Sequence, residues 1–300
     1  MPLSLFDPLI QEWFAGVGEP TEPQELGWPE IRSGRDVVIS APTGSGKTLA
    51  AFLSCLDDLV RRARTDDFPD ETSVPYISPL KALSNDIQKN LDRPVAEIRE
   101  LADRNGVELR PIRTALRTGD TKAYERQRMT KKPPHILVTT PESLFILLTA
   151  EKSREMLKSV RTVIIDEIHT VADDKRGSHL AVSLARLERL VVSEGSGQRP
   201  QRIGLSATVN PLEEVAQFLS SEFVNGRGRL VSVGHRRKME LAVEVPNDKL
   251  SAVAATETWA EIYDRVAELI KAHRTTLVFV NTRRLSERIA HQLQERLKEG

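Results

Sequence analysis

The segment Ala41-Pro-Thr-Gly-Ser-Gly-Lys-Thr48 narrows what this chain can fold into more than any other part of it. It follows a short β-branched run, Val37–Ser40. It precedes Leu49, Phe52, Leu53, Leu56, Leu59 and Val60, which share one face of a helix. A glycine-rich turn between a buried strand and a helix is the context of a phosphate-binding loop. Gly44 and Gly46 let the backbone of Thr43–Gly46 curl so that several N–H groups point inward. The helix N-terminus adds positive partial charge. Lys47 can reach the β- and γ-phosphates of a nucleoside triphosphate, and Thr48 can offer a hydroxyl to Mg²⁺. Ala41 stands where many such loops have their first glycine.

The surrounding pattern alternates. Val74–Ser78, Ile136–Thr139, Val163–Ile165 and Ile203–Ser206 are further short apolar runs, the form of strands covered on both faces. Strands alternating with helical patterns predict an α/β fold with a mostly parallel sheet flanked by helices. At 300 residues about two domains are expected. The first spans 1–232. A basic, irregular stretch from Gly226 to Lys238 and a short run, Leu241–Val245, lead into a linker at 233–255. The second domain starts at 256–300, with Trp259, Ile262, Tyr263, Val266, Leu269 and Ile270 on one helix. A strand at Thr276–Val280 follows, then a helix with Leu285, Ile289, Leu293 and Leu297. One strand between two helices cannot close a core, so this second domain is expected to be incomplete.

Val163-Ile-Ile-Asp-Glu-Ile-His169 supplies the partner to the glycine-rich turn. An apolar strand ending in two acids puts carboxylates at the carboxyl edge of the sheet, where open α/β folds bind ligands. Asp166 is the expected Mg²⁺ ligand, and Glu167 is expected to orient and deprotonate an attacking water. Alone, such a pair reads as a solvated strand end. A phosphate-binding turn about 120 residues upstream changes that. His169 alone reads equally as a structural histidine.

Lys+Arg and Asp+Glu balance at 43 each, so no global field favours nucleic acid, and any such contact must be local. From Arg110 to Lys132 there is a local excess: Arg110, Arg113, Arg117, Lys122, Arg126, Arg128, Lys131 and Lys132 against Asp120 and Glu125. This fits either a phosphate-backbone track or a solvated helix face. The single cysteine, Cys55, excludes an internal disulfide and fits a reducing compartment. Met1–Pro20 does not read as a signal peptide, and no apolar run approaches the ~20 residues of a membrane span. A cytoplasmic protein is expected.

Asp166-Glu-Ile-His169, with Ala41–Thr48 and Ser206-Ala-Thr208, resembles the superfamily 2 DEAD/DEAH-type helicases. Tyr76-Ile-Ser-Pro-Leu-Lys-Ala-Leu83, Thr139-Thr-Pro-Glu-Ser-Leu144 and Val278-Phe-Val-Asn-Thr-Arg-Arg-Leu-Ser-Glu287 bring it closest to the large helicase-related, Lhr-type family. The resemblance implies RecA-like domains, use of ATP, and 3′-to-5′ movement on a single strand of DNA or RNA, or on an RNA–DNA hybrid.

It also implies roles by position. Lys47, Asp166 and Glu167 are catalytic. Gln24 reads adenine, since its amide can pair with N6–H and N7, and Phe14 is a candidate to stack on the base. Ser78, Pro79, Lys81, Gly119, Thr140, Pro141 and Ser143 grip the sugar–phosphate backbone. His169, Ser206, Ala207 and Thr208 couple phosphate release to strand movement. The family's arginine fingers are expected beyond residue 300 and are not Arg283 or Arg284, so the 300 residues are expected to hydrolyse ATP poorly. Two other readings stay open: an ATP-switched clamp or remodeller without unwinding, and an unrelated P-loop ATPase.

Overall fold

The computed structural model describes residues 2–65, 67–79, 81–234, 240–246 and 256–298; the side chains of 81–89 and 256–257 are outside the description. Contacts divide the chain into two units, Met1–His235 and Arg236–Gly300.

The first unit is built on one seven-stranded sheet. Its strands are β1 (Val37–Ser40), β2 (Val74–Ile77), β3 (Thr114–Arg117), β4 (Ile136–Thr139), β5 (Thr162–Ile165), β6 (Gln201–Ser206) and β7 (Arg229–Ser232). The spatial order is β3-β4-β2-β5-β6-β1-β7, and every pairing is parallel. Parallel strands need crossovers, so every strand-to-helix loop leaves from the same edge. Alternate residues face opposite layers. Val37, Ile39, Tyr76, Ile136, Val138, Ile164, Ile203 and Leu205 pack under the N-terminal helices and helices Lys47–Ala63 and Lys81–Arg104. Val38, Ile77, Leu137, Val163 and Ile165 pack on the other side, with helices Pro141–Thr149, Lys175–Glu194 and Leu212–Leu219.

The outermost strands were not expected. β3 lies inside the basic stretch, and its first three residues are only half buried. β7 falls where an irregular stretch was expected. It pairs with β1 along Val37↔Arg229 to Ser40↔Ser232, but only Val231 is buried. An edge strand buries one face at most, which erases the continuous apolar signature of the inner strands.

In the second unit, helices Thr256–Ala272 and Arg283–Lys298 pack on each other. Trp259 and Tyr263 stack at 5.6 Å. Arg288 lies over Trp259 at 5.2 Å, and Arg296 over Tyr263 at 5.3 Å. The strand expected at Thr276–Val280 does not form, and Leu277, Val278 and Phe279 are exposed. A strand exists through its ladder, and no other strand of this unit lies among the described residues to supply one. Leu241, Val243 and Val245 are likewise exposed and irregular, and much of the expected linker, 235–239 and 247–255, lies outside the described residues.

Candidate active site

β1 ends at Ser40, and the next six residues turn the chain into helix Lys47–Ala63. Gly44 and Gly46 take φ of 79° and 89°, a region costly for any side chain. A methyl group at Gly46 would also lie 2.7 Å from Gln24 Nε2 and 2.9 Å from Thr21 Oγ1, so those side chains would have to shift. The close approach has a purpose. Gln24 Nε2 donates to Gly46 O at 3.3 Å, while its Oε1 accepts from Thr21 N at 3.0 Å. Gln24 is buried, so its amide braces the glycine-rich turn. Ser45 N donates to Pro42 O at 3.2 Å, and Ser45 Oγ is buried with no partner among the described residues. Thr43 and Gly44 are exposed at the tip.

β5 delivers the acids. Asp166 N donates to Ile77 O at 2.8 Å, which extends the β5–β2 ladder by one residue. Asp166 Oδ2 accepts from Tyr76 Oη at 2.7 Å, and Oδ1 accepts from Glu167 N at 3.0 Å. Burial pushes the Asp166 carboxyl up; the Tyr76 hydrogen bond and the Lys47 charge act against that. Glu167 has φ 45°, the only positive value at a non-glycine among the described residues. Such strain costs about 1–3 kcal/mol and collects at functional sites. It swings the side chain toward the glycine-rich turn, where Glu167 Oε1 lies 3.6 Å from the buried Lys47 Nζ.

The expected coupling residues meet here too. Ala207 N donates to His169 Nδ1 at 3.3 Å. A backbone N–H can only donate, so the neutral ring carries its proton on Nε2, which faces Glu167 Oε2 at 3.5 Å. Ser206 Oγ is 3.3 Å from the same Nδ1 and donates to Ala207 O at 2.8 Å. Ser40 Oγ donates to that carbonyl at 3.1 Å, and Ala41 N to Ser206 O at 3.1 Å. The ends of β1, β5 and β6 are thus tied through short polar contacts. Thr208 is exposed at the rim.

A cleft of about 970 Å³ opens beside the turn, lined by Trp13, Gly44, Lys47, Thr48, Arg93 and Glu167 among others. Phe14 does not reach it. Its ring is buried edge-on against Trp28 at 5.4 Å, so it belongs to the core and is not placed to stack on a base. The neighbouring Trp13, one residue earlier on helix Pro8–Ala15, faces the cleft, with Nε1 donating to Glu97 Oε2 at 2.9 Å. The donor set would suit a nucleotide with Mg²⁺: the Lys47 ammonium, the Thr48 hydroxyl, the Asp166 and Glu167 carboxylates and a glycine turn, since Mg²⁺ takes one or two carboxylates plus phosphate oxygens and water.

The residues expected on a nucleic-acid strand occupy the other half of the same sheet edge, beyond β2, β4 and β3. Ser78 and Pro79 follow β2, and Pro79 O accepts from Arg176 Nη2 at 2.9 Å. Thr140 caps helix Pro141–Thr149 by accepting from Ser143 N at 3.3 Å, so the Thr140 and Ser143 hydroxyls are buried in a cap. Gly119 is exposed after β3, its carbonyl accepting from Arg126 Nη2 at 2.8 Å. Lys81 opens helix Lys81–Arg104, and its side chain lies outside the described residues. The basic stretch is divided. Arg113 pairs with Asp70, and Arg126 also bonds Thr121 O. Arg117 is buried, with burial and Arg126 lowering its pKa. Lys122, Arg128, Lys131 and Lys132 are exposed.

Similarity to known proteins agrees with this geometry. The chain is 48% identical over 297 residues to the ATP-dependent helicase Lhr-Core protein 2 of Thermococcus barophilus, covering 97% of this chain and 34% of that protein. It is 47% identical over 301 residues to ATP-dependent helicase Lhr-Core of Methanothermobacter thermautotrophicus, covering 99% of this chain and 34% of the relative. The chain therefore spans about a third of these curated relatives. The structure of Mycobacterium smegmatis helicase Lhr bound to ssDNA and AMP-PNP superposes with a TM-score of 0.81 at 43% identity, covering 99% of this chain and 37% of that one. No helix among the described residues is long and apolar enough to cross a membrane. Residues 21–217 match the family profile described as DEAD/DEAH box helicase, and the chain belongs to that family.

Proposed function

We propose that this chain is the first motor domain, with the start of the second, of an ATP-driven helicase or translocase acting on single-stranded DNA or RNA. The observation that carries the reading is the meeting of Lys47 and Glu167 at 3.6 Å, beside the Asp166 carboxylate, at the edge of one parallel sheet. Lys47 holds the β- and γ-phosphates. Thr48 and Asp166 would hold Mg²⁺, which would neutralise charge on the phosphate oxygens. Glu167 orients the attacking water and takes its proton, and His169 keeps Glu167 in contact with Ser206–Ala207. Ser78, Pro79, Lys81, Gly119, Thr140, Pro141 and Ser143 follow the strand's backbone, a reading supported by similarity to an Lhr helicase bound to ssDNA. Residues 233–255 serve as the linker, and 256–300 begin the second RecA-like domain. Single-strand movement runs 3′ to 5′, and the location is cytoplasmic.

The test is ATP hydrolysis by the full-length protein with single strands, duplexes and RNA–DNA hybrids at stated salt. Stimulation by single strands, lost in Lys47→Ala, is expected. ATP turnover indifferent to every nucleic acid points instead to a P-loop ATPase of another class.

A further inference from the structure

Tyr76 belongs to the segment Tyr76–Leu83, whose expected work starts only at Ser78. Its ring is fully buried in the sheet's first layer, yet its Oη is not spent on a main-chain carbonyl. The β2–β5 register sets Tyr76 opposite Ile164. Asp166 lies two residues further on and shares that face, and such diagonal neighbours are within reach of an aromatic side chain. The phenol donates to Asp166 Oδ2 at 2.7 Å. The other carboxylate oxygen takes Glu167 N at 3.0 Å, so the two donors together fix the carboxylate plane.

We propose that Tyr76 is a positioning residue for the Mg²⁺ site, its hydroxyl fixing the orientation of the Asp166 carboxylate. The proposal rests on the assignment of Thr48 and Asp166 as the metal-holding pair. Packing alone does not call for the hydroxyl. Phenylalanine fills the same space, and a buried hydroxyl is costly unless bonded. Partners behind metal ligands commonly govern metal affinity, with losses of about 10–100-fold on mutation.

The experiment uses the full-length protein, Tyr76→Phe and Asp166→Asn. Binding of a fluorescent ATP analogue is measured in EDTA and then across a Mg²⁺ titration, with melting curves to check the fold. In Tyr76→Phe we expect unchanged metal-free affinity and a Mg²⁺ half-saturation raised about 10–100-fold. Mn²⁺, the tighter binder of such sites, is expected to recover part of the loss. Asp166→Asn should abolish the Mg²⁺ response. If Asp166→Asn does so while Tyr76→Phe titrates like wild type, the role given to Tyr76 is wrong and the metal assignment stands. If Asp166→Asn itself keeps the Mg²⁺ response, the metal assignment fails. Equal weakening with and without Mg²⁺ in Tyr76→Phe also overturns the proposal, because the phenol then acts on the turn and not on the metal.

Discussion

Gly177→Ala sets two effects of known sign against each other. Gly177 is the third residue of helix Lys175–Glu194 and accepts no special backbone angle. On propensity alone, alanine there stabilises a helix by about 1 kcal/mol. The surroundings forbid it. A methyl group would sit 1.8 Å from Val171 O and 2.9 Å from Val171 C, both backbone atoms, with Phe218 at 3.3 Å. Relief requires the helix and residues 168–171 to separate by roughly 1 Å, and overpacking of this kind costs about 1–3 kcal/mol. Because the obstacle is backbone, the upper end applies, and the net is a loss of about 2 kcal/mol. For a unit of this size that lowers the melting temperature by about 4–8 °C. Thermal and urea unfolding by circular dichroism measure it, with Gly119→Ala as control, since nothing lies within 4 Å of a methyl there. The control should stay within about 0.5 kcal/mol of wild type. If Gly177→Ala were as stable as the control, or more so, the close packing of residues 168–171 on this helix would be refuted. The same displacement moves His169, so single-strand-stimulated turnover should fall further than stability does.

Glu167→Gln should keep ATP binding and lose about 10²–10⁴-fold in turnover, the range of a general base, in steady-state hydrolysis by the full-length protein; unchanged turnover would remove Glu167 from that role. Gln24→Ala removes the helix-cap contact with Thr21 and the brace on Gly46, so it should cost about 1 kcal/mol in unfolding and weaken binding of ATP and of inorganic triphosphate alike. An effect confined to adenine nucleotides would show that the amide reads only the base. His135 is fully buried, accepts at Nδ1 from Arg113 N, and faces Pro69 O at Nε2. Burial, then the Arg113 charge, lower its pKa from 6.5 to about 4. The unfolded imidazole takes up a proton below about pH 6.5 while the folded one does not, so stability is complete above that and declines as pH falls toward 4. Between pH 7.5 and pH 5 the loss is about 2 kcal/mol, and urea unfolding of His135→Gln should lack that component.

The inner part of the fold was readable because its strands are covered on both sides. Val37–Ser40, Ile136–Thr139 and Val163–Ile165 are continuous apolar runs, and nothing but a buried strand between helices suits them. The outer strands were hidden by chemistry. Thr114–Arg117 ends in an arginine, and Arg229–Ser232 buries a single side chain, so each looks like a loop. At the site, Lys47 and the two acids announced themselves by residue type at a turn and a strand end. Tyr76 did not, because an aromatic in a buried strand reads as packing until its hydroxyl has a partner. Trp13 and Phe14 point about 100° apart on one helix, and the sequence does not say which of two adjacent aromatics faces the cleft. The side chain of Lys81 lies outside the described residues, and Thr140 and Ser143 are seen capping a helix.

The left-handed backbone at Glu167 has a consequence for anyone who engineers this domain. Glycine at 167 would relax that strain, and asparagine would tolerate it, so a selection that rewards only folding has reason to discard the glutamate. Thermostable descendants obtained that way would grow sturdier while losing the carboxylate that faces Lys47. Position 167 is the one to hold fixed in any such campaign.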